Sequence, residues 1–360
     1  TQPIPSPKRG IFAITAANIL SLHSICYCLY HIDSQQRSIP MSSDTIISSL
    51  TPETIQSGFA DLGYICDESI AMSVYLATQL NKPILVEGPP GVGKTELAKA
   101  TASLLQQPLI RLQCYEGLDE SKALYEWKYG KQLLYTQVLK DKLGDLLKGA
   151  HGLAESVTRL HEFGDIFYSE DFLEPRPLLQ ALKAPNGSVL LIDEIDKSDH
   201  EFESFLLEML SDFQISVPEI GTIKAVSQPV VLLTSNNTRE LSDALKRRCL
   251  HLYIPFPDLK LEQKIIQSRV PEAPEVLRTQ LVNFVHTLRE LDLKKHPAIS
   301  ETIDWARALV LLHANALDTK LVESTLNLLL KHEEDMVSVK QELTSLFAKA
   351  TKGSKLRVRH

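Results

Sequence analysis

The chain has 360 residues, 44% of them hydrophobic and 23% charged, proportions close to those of soluble globular proteins and unlike those of a fibrous or largely disordered chain. At about 150 residues per domain the length suggests two domains, with no need of disulfide or metal staples. The 38 Lys and Arg against 45 Asp and Glu leave a net charge of -7, which offers nucleic acid no global attraction, so no nucleic-acid partner is expected. The five cysteines (Cys26, Cys28, Cys66, Cys114 and Cys249) are scattered and suggest neither a disulfide framework nor a zinc site, so a reducing cytoplasm is the simplest compartment. The histidines are equally dispersed, without the i, i+4 pairs of a metalloprotease helix.

Behind Lys8 and Arg9, residues Ile11 to Tyr30 form an apolar stretch of membrane-spanning length. Asn18, Ser21, His23 and Ser24 interrupt it, and each would need a polar partner inside lipid. Residues 1–45 are therefore read as an N-terminal extension, with a weak hydrophobic anchor as the alternative. Residues 46–256 read as an α/β core, 257–350 as a small helical domain and 351–360 as a basic tail.

Asp67 is placed to cap a helix over Glu68–Leu80. Pro83–Glu87 is too short and apolar for anything but a buried parallel strand. A glycine-rich turn follows, then a helix over Glu96–Gln106 and a second strand over Leu109–Cys114. Residues 115–185 mix helical pieces with loop signals. Ser188–Ile192 reads as a third buried strand, Glu201–Asp212 as a helix, Gln214–Ala225 as a hairpin and Pro229–Thr234 as a fourth strand. Beyond Pro257 every segment has helical spacing. Strands alternating with helices, then helices alone, describe a parallel α/β sheet with helices on both faces, followed by a small all-α domain.

Gly88-Pro89-Pro90-Gly91-Val92-Gly93-Lys94-Thr95 has the spacing of a phosphate loop. Glycines there let successive backbone N–H groups face one anion, and the following helix, whose first turn includes Glu96, adds its positive end. Lys94 would reach the β and γ phosphates, and the Thr95 hydroxyl would ligate Mg²⁺. Val189-Leu190-Leu191-Ile192-Asp193-Glu194 delivers two acids at a strand end, where open α/β sheets bind ligands. Asp193 would hold the metal, and Glu194 would orient and deprotonate an attacking water. Asn236, after the strand ending at Thr234, could hydrogen-bond the γ phosphate or its water; a turn-forming Asn is the plainer alternative. Lys246-Arg247-Arg248 is either a solvated charge run or the source of an arginine acting across a subunit boundary, with Arg248 the first choice and Arg247 the reserve.

GPPGVGKT, LLIDEID, LLTSNN and ALKRRC, in this order and followed by a helical segment, resemble the P-loop NTPases of the AAA+ class. Asp193-Glu194-Ile195-Asp196-Lys197 with Phe202-Glu203-Ser204-Phe205-Leu206-Leu207-Glu208 resembles the MoxR branch. Tyr125-Glu126-Trp127 with the stretch Ile299 to Arg307 resembles the accessory ATPases of molybdenum hydroxylases such as carbon monoxide dehydrogenase. The similarity spans about residues 50 to 350 and implies an AAA+ core with an insertion in its second helix and a helical lid. It further implies Mg²⁺-dependent ATP hydrolysis by a hexameric ring, chaperone-like remodelling or maturation of a client, with a metallocofactor enzyme as the candidate, and a partner carrying a von Willebrand factor A domain. It assigns Asn236 as the first sensor, Arg248 as the finger, and Tyr64 and Ile65 to the adenine pocket. Arg307 is the substitute named for the second sensor, because Ser300-Glu301-Thr302 stands where relatives carry an arginine; an ion pair with Asp304 is its alternative. Tyr125, Trp127 and Tyr129 are candidates for gripping a polypeptide or for filling the insertion's core. A nucleic-acid-linked motor, such as a helicase loader, is the rival reading.

Overall fold

The computed structural model describes residues 50–146, 169–218 and 220–355, with side chains described for 50–137, 169–218 and 220–350. The apolar stretch at 11–30 and the last five residues of the basic tail lie outside the described residues.

Local sequence signals set the element ends. Helix α1 (Pro52–Asp61), not foreseen from the sequence, starts on a Thr51 cap with proline in its first turn. Helix α2 (Glu68–Leu80) is capped by the Asp67 carboxylate, which accepts the Ile70 amide, and ends at left-handed Asn81. Strand β1 (Ile84–Glu87) leads into the glycine turn and helix α3 (Lys94–Leu105), and β2 (Leu109–Gln113) follows. Helix α3 begins two residues earlier than its periodicity suggests, because Gly93 in the left-handed conformation is its cap. Lys94 and Thr95 thus sit in the first turn of a helix rather than in a loop.

Between β2 and the acid-bearing strand, helix α4 (Glu120–Ala123), strand β3 (Tyr125–Trp127) and helix α5 (Tyr129–Leu146) precede strand β4 (Leu173–Pro175) and helix α6 (Pro177–Lys183). Strands β3 and β4 pair antiparallel. Tyr125 and Trp127 meet edge to face at 5.9 Å and pack against the core, whereas Tyr129 is exposed. Strand β5 (Val189–Asp193), helix α7 (His200–Asp212), the hairpin β6 (Gln214–Val217) and β7 (Gly221–Lys224), strand β8 (Val230–Ser235), helix α8 (Asp243–Arg248) and strand β9 (Leu250–Tyr253) complete this part.

The main sheet has the order β2-β5-β8-β1-β9, and its pairings are all parallel. Interior strand β5 is buried at every position, as its unbroken apolar run requires. Edge strands β2 and β9 each bury a single residue instead. β9 escaped the sequence reading because Leu-His-Leu-Tyr carries one buried residue, Leu252, in four. Register aligns Gln113 with Asp193, and Glu87 with Ser235. The carboxyl ends of four strands therefore open on one crevice, the usual ligand position of such sheets.

Five helices follow: α9 (Leu259–Arg269), α10 (Glu275–Arg289), α11 (Ile299–Leu311), α12 (Thr319–Leu329) and α13 (Glu333–Lys355). The last continues past residue 350, where the sequence had suggested a separate tail. Their core centres on fully buried Trp305, whose indole N–H donates to Thr325 Oγ1 at 2.8 Å while the ring packs on Phe284. Burying such a ring without stranding its N–H contributes roughly 2–3 kcal/mol. Glu262, fully buried on α9, accepts two hydrogen bonds from Arg289 and one from His286. Burial alone would raise the Glu262 carboxyl, but His286 and Arg289 hold it below its ordinary value. This three-residue cluster thus stabilises the helical layer above the ordinary carboxylate range, and that contribution is lost as pH falls through the lowered value.

Candidate functional site

The turn between β1 and α3 depends on backbone that only glycine adopts freely. Gly88, Gly91 and Gly93 have φ of 151°, 75° and 99°. A Cβ on Gly88 would lie 2.2 Å from the Ile254 carbonyl oxygen, and one on Gly91 would lie 2.4 Å from Ala298 Cβ at the start of α11. No side chain caps α3, which leaves its first-turn N–H groups facing the crevice for an anion.

A cavity of about 190 Å³ is lined by Pro90, Gly91, Gly93, Lys94, Thr95, Arg111, Asp193, Glu194, Thr234 and Asn236. Lys94, largely buried, donates to the carbonyls of Gly88 (2.6 Å) and Pro89 (2.8 Å) and to Asn236 Oδ1 (2.7 Å). Burial pulls its ammonium below the ordinary value, opposed by Asp196, Asp193 and Glu194. The other end of the same amide, Asn236 Nδ2, reaches Glu194 Oε1 at 3.3 Å. Asn236 therefore stands between the phosphate-loop lysine and the second acid, 142 and 42 residues away in sequence.

Thr234 organises the acid pair. Its hydroxyl donates to Asp193 Oδ1 and accepts the Glu194 amide at 2.9 Å. That second bond holds Glu194 in the left-handed region, at φ 58°, a conformation costing about 1 kcal/mol or more for a side chain with a Cβ. The turn aims the Glu194 carboxylate at Asn236, Gln113 (2.8 Å) and Lys197 (2.7 Å). Asp196 fixes the next segment: its Oδ2 accepts from the amides of Asn236 and Thr238 and from the Thr238 hydroxyl. Burial would raise the Asp196 carboxyl, but these donors lower it.

The Thr95 hydroxyl lies 3.3 Å from both oxygens of Asp193. One hydroxyl and one carboxylate, beside a turn shaped for phosphate, suit Mg²⁺, a hard ion that fills its remaining positions with water and phosphate oxygens.

Other sequence candidates are not among the residues that line this cavity. Tyr64 is buried against Phe59 with a ring carbon 3.6 Å from where a Cβ on Gly93 would be, and burial raises its phenol; Ile65 beside it is half-buried. Glu96 pairs with Lys99 (2.6 Å) and with Arg269 of α9 (3.0 Å), linking the phosphate-loop helix to the helical layer. Arg248 donates to Ser211 Oγ and to the Ala244 carbonyl, outside the cavity, and Arg247 is exposed. Arg307 lies on the exposed face of α11, 3.5 Å from Asp304, in the ion pair that was its alternative. The helical layer instead reaches the loop through Ala298 and Ser300, whose Oγ would be 3.1 Å from a Cβ on Gly91. Sequence reading missed Arg111 and Gln113. Their i, i+2 spacing on a strand beside the acid-bearing one was the available signal.

Residues 83–249 match the AAA domain of the dynein-related subfamily. An uncharacterised protein of Staphylococcus epidermidis is 26% identical to the chain over 251 residues, 68% of this chain and 81% of that protein. One from Staphylococcus aureus is 28% identical over 238 residues, 64% and 76% of the two chains. Among solved structures, the Thermotoga maritima RuvB Holliday junction branch migration motor shares 20% identity over 74% of this chain and 68% of its own, with a TM-score of 0.39. The parallel five-stranded sheet with flanking helices, the glycine turn after β1 and the AAA domain match together give a P-loop AAA+ fold, followed by a helical layer. Among the described residues, no helix is long and apolar enough to cross a membrane.

Proposed function

We propose that the chain is a Mg²⁺-dependent ATPase of the MoxR type that works as an oligomeric ring to remodel or mature a client protein. The observation carrying the hydrolytic reading is the Lys94–Asn236–Glu194 relay, which joins a phosphate-binding cation, a polar amide and a carboxylate across one crevice. Lys94 is held by its own loop's carbonyls and can exchange them for phosphate oxygens. The glycine turn would wrap the phosphates, Asn236 would orient the water, and Glu194 would take its proton. Thr95 and Asp193 would hold Mg²⁺, which when bound neutralises charge on the β and γ phosphates.

Arg248 ends a six-residue helix and is turned from its own subunit's cavity, which suits an arginine offered to a neighbour. The MoxR assignment rests on the sequence resemblance, as do the hexamer, the von Willebrand factor A partner and the metallocofactor-enzyme client. Hydrolysis would release the γ-phosphate contacts and let the helical layer shift against the loop at Ala298. ATP turnover per subunit is expected to rise with protein concentration as rings form. Mixing Glu194→Gln with Arg248→Ala subunits should restore part of the activity that each lacks alone. Turnover independent of concentration, with no gain on mixing, would refute the shared site.

A further inference from the structure

We propose that Arg111 is a tethered counter-cation on Asp193 which a divalent metal must displace, so that Arg111 sets the metal affinity of the site. The inference rests on the nucleotide–metal reading above. Asp193 is almost wholly buried, and both its carboxylate oxygens are engaged: Thr234 donates to Oδ1, and Arg111 Nη2 sits 2.6 Å from Oδ2. A metal held jointly by Thr95 and Asp193 needs a carboxylate lone pair that the guanidinium now uses, and two cations on one carboxylate repel each other. The Arg111 side chain is half exposed, at 52%, and rests its other contact on Gln113 Oε1 at 2.6 Å. It can therefore leave Asp193 toward solvent without stranding a buried charge, and keep Gln113 as an anchor. While the metal is away, the pair neutralises an acid that is otherwise costly to bury.

Lys197 supplies the control, being a cation of similar exposure that pairs with Glu194 rather than Asp193. The test is Mn²⁺ titration of the full chain in saturating ADP, with free Mn²⁺ followed by electron paramagnetic resonance. Arg111→Ala is expected to bind Mn²⁺ roughly two- to fivefold more tightly than wild type, the scale of a partly exposed ion pair. Arg111→Lys, which keeps the charge without the planar fork, should fall between the two, and Lys197→Ala should stay near wild type. Without metal, Arg111→Ala should melt below wild type, the gap closing as Mn²⁺ saturates the site. Equal or weaker binding by Arg111→Ala, or an equal gain in Lys197→Ala, would overturn the proposal. Failure of the underlying reading would show separately, as Mn²⁺ binding that Asp193→Asn does not diminish.

Discussion

Replacing Glu194 by glutamine is expected to lower steady-state ATP turnover roughly 10²- to 10⁴-fold, the usual contribution of a positioned general base, while ATP binding changes little. The substitution keeps shape and the left-handed turn at this position, because the Glu194 amide and Thr234 hydroxyl set that turn and the side chain does not. What is lost is an ionised oxygen that now accepts from Asn236, Gln113 and Lys197. Phosphate release at saturating ATP measures the first quantity, and equilibrium dialysis with labelled ATP the second. Turnover above a tenth of wild type would remove Glu194 from the role of base.

Lys94→Ala should act on the other half of the reaction, weakening ATP binding by roughly ten- to a hundredfold, or about 1.5–3 kcal/mol for losing hydrogen bonds to a charged partner. In the free protein the ammonium is already desolvated and bound to the Gly88 and Pro89 carbonyls. It reaches the phosphates preorganised, so little of their attraction is spent on ordering it. Calorimetric titration with ATP checks the affinity, and circular dichroism checks that the fold persists. Unchanged affinity would mean that the loop is not where the triphosphate binds.

Much of this was legible before any coordinates. The glycine spacing from Gly88 to Thr95 and the apolar strand ending at Asp193 and Glu194 carry their chemistry within short windows, since the backbone turn and the strand end dictate the residue types. The continuous apolar runs at β1, β5 and β8 announced buried parallel strands for the same reason. The edges were harder to read. β9 has one buried residue, and β3 and β4 have three residues each, too few for a period to appear.

The acid pair's setting was hidden for a different reason. Arg111 and Gln113 matter only through register, which sets Gln113 opposite Asp193 across 80 residues of chain. Thr234 likewise reads as the polar end of a strand until the turn at Glu194 shows that it holds two residues at once. Arg307 is named by its place in a resemblance, and the structure sets its guanidinium 3.5 Å from Asp304 one turn away, on an exposed face of α11. Long-range pairing decides these cases, and no local window contains it.

The most direct test is a structure of the Glu194→Gln protein with ATP and Mg²⁺. The terminal phosphate should lie within about 3 Å of Lys94 Nζ and of Asn236 Nδ2, with Thr95 and Asp193 at the metal and Arg111 withdrawn from Asp193. A triphosphate lying elsewhere, with Lys94 still bound to the carbonyls of Gly88 and Pro89, would contradict the assignment of this crevice as the site of hydrolysis.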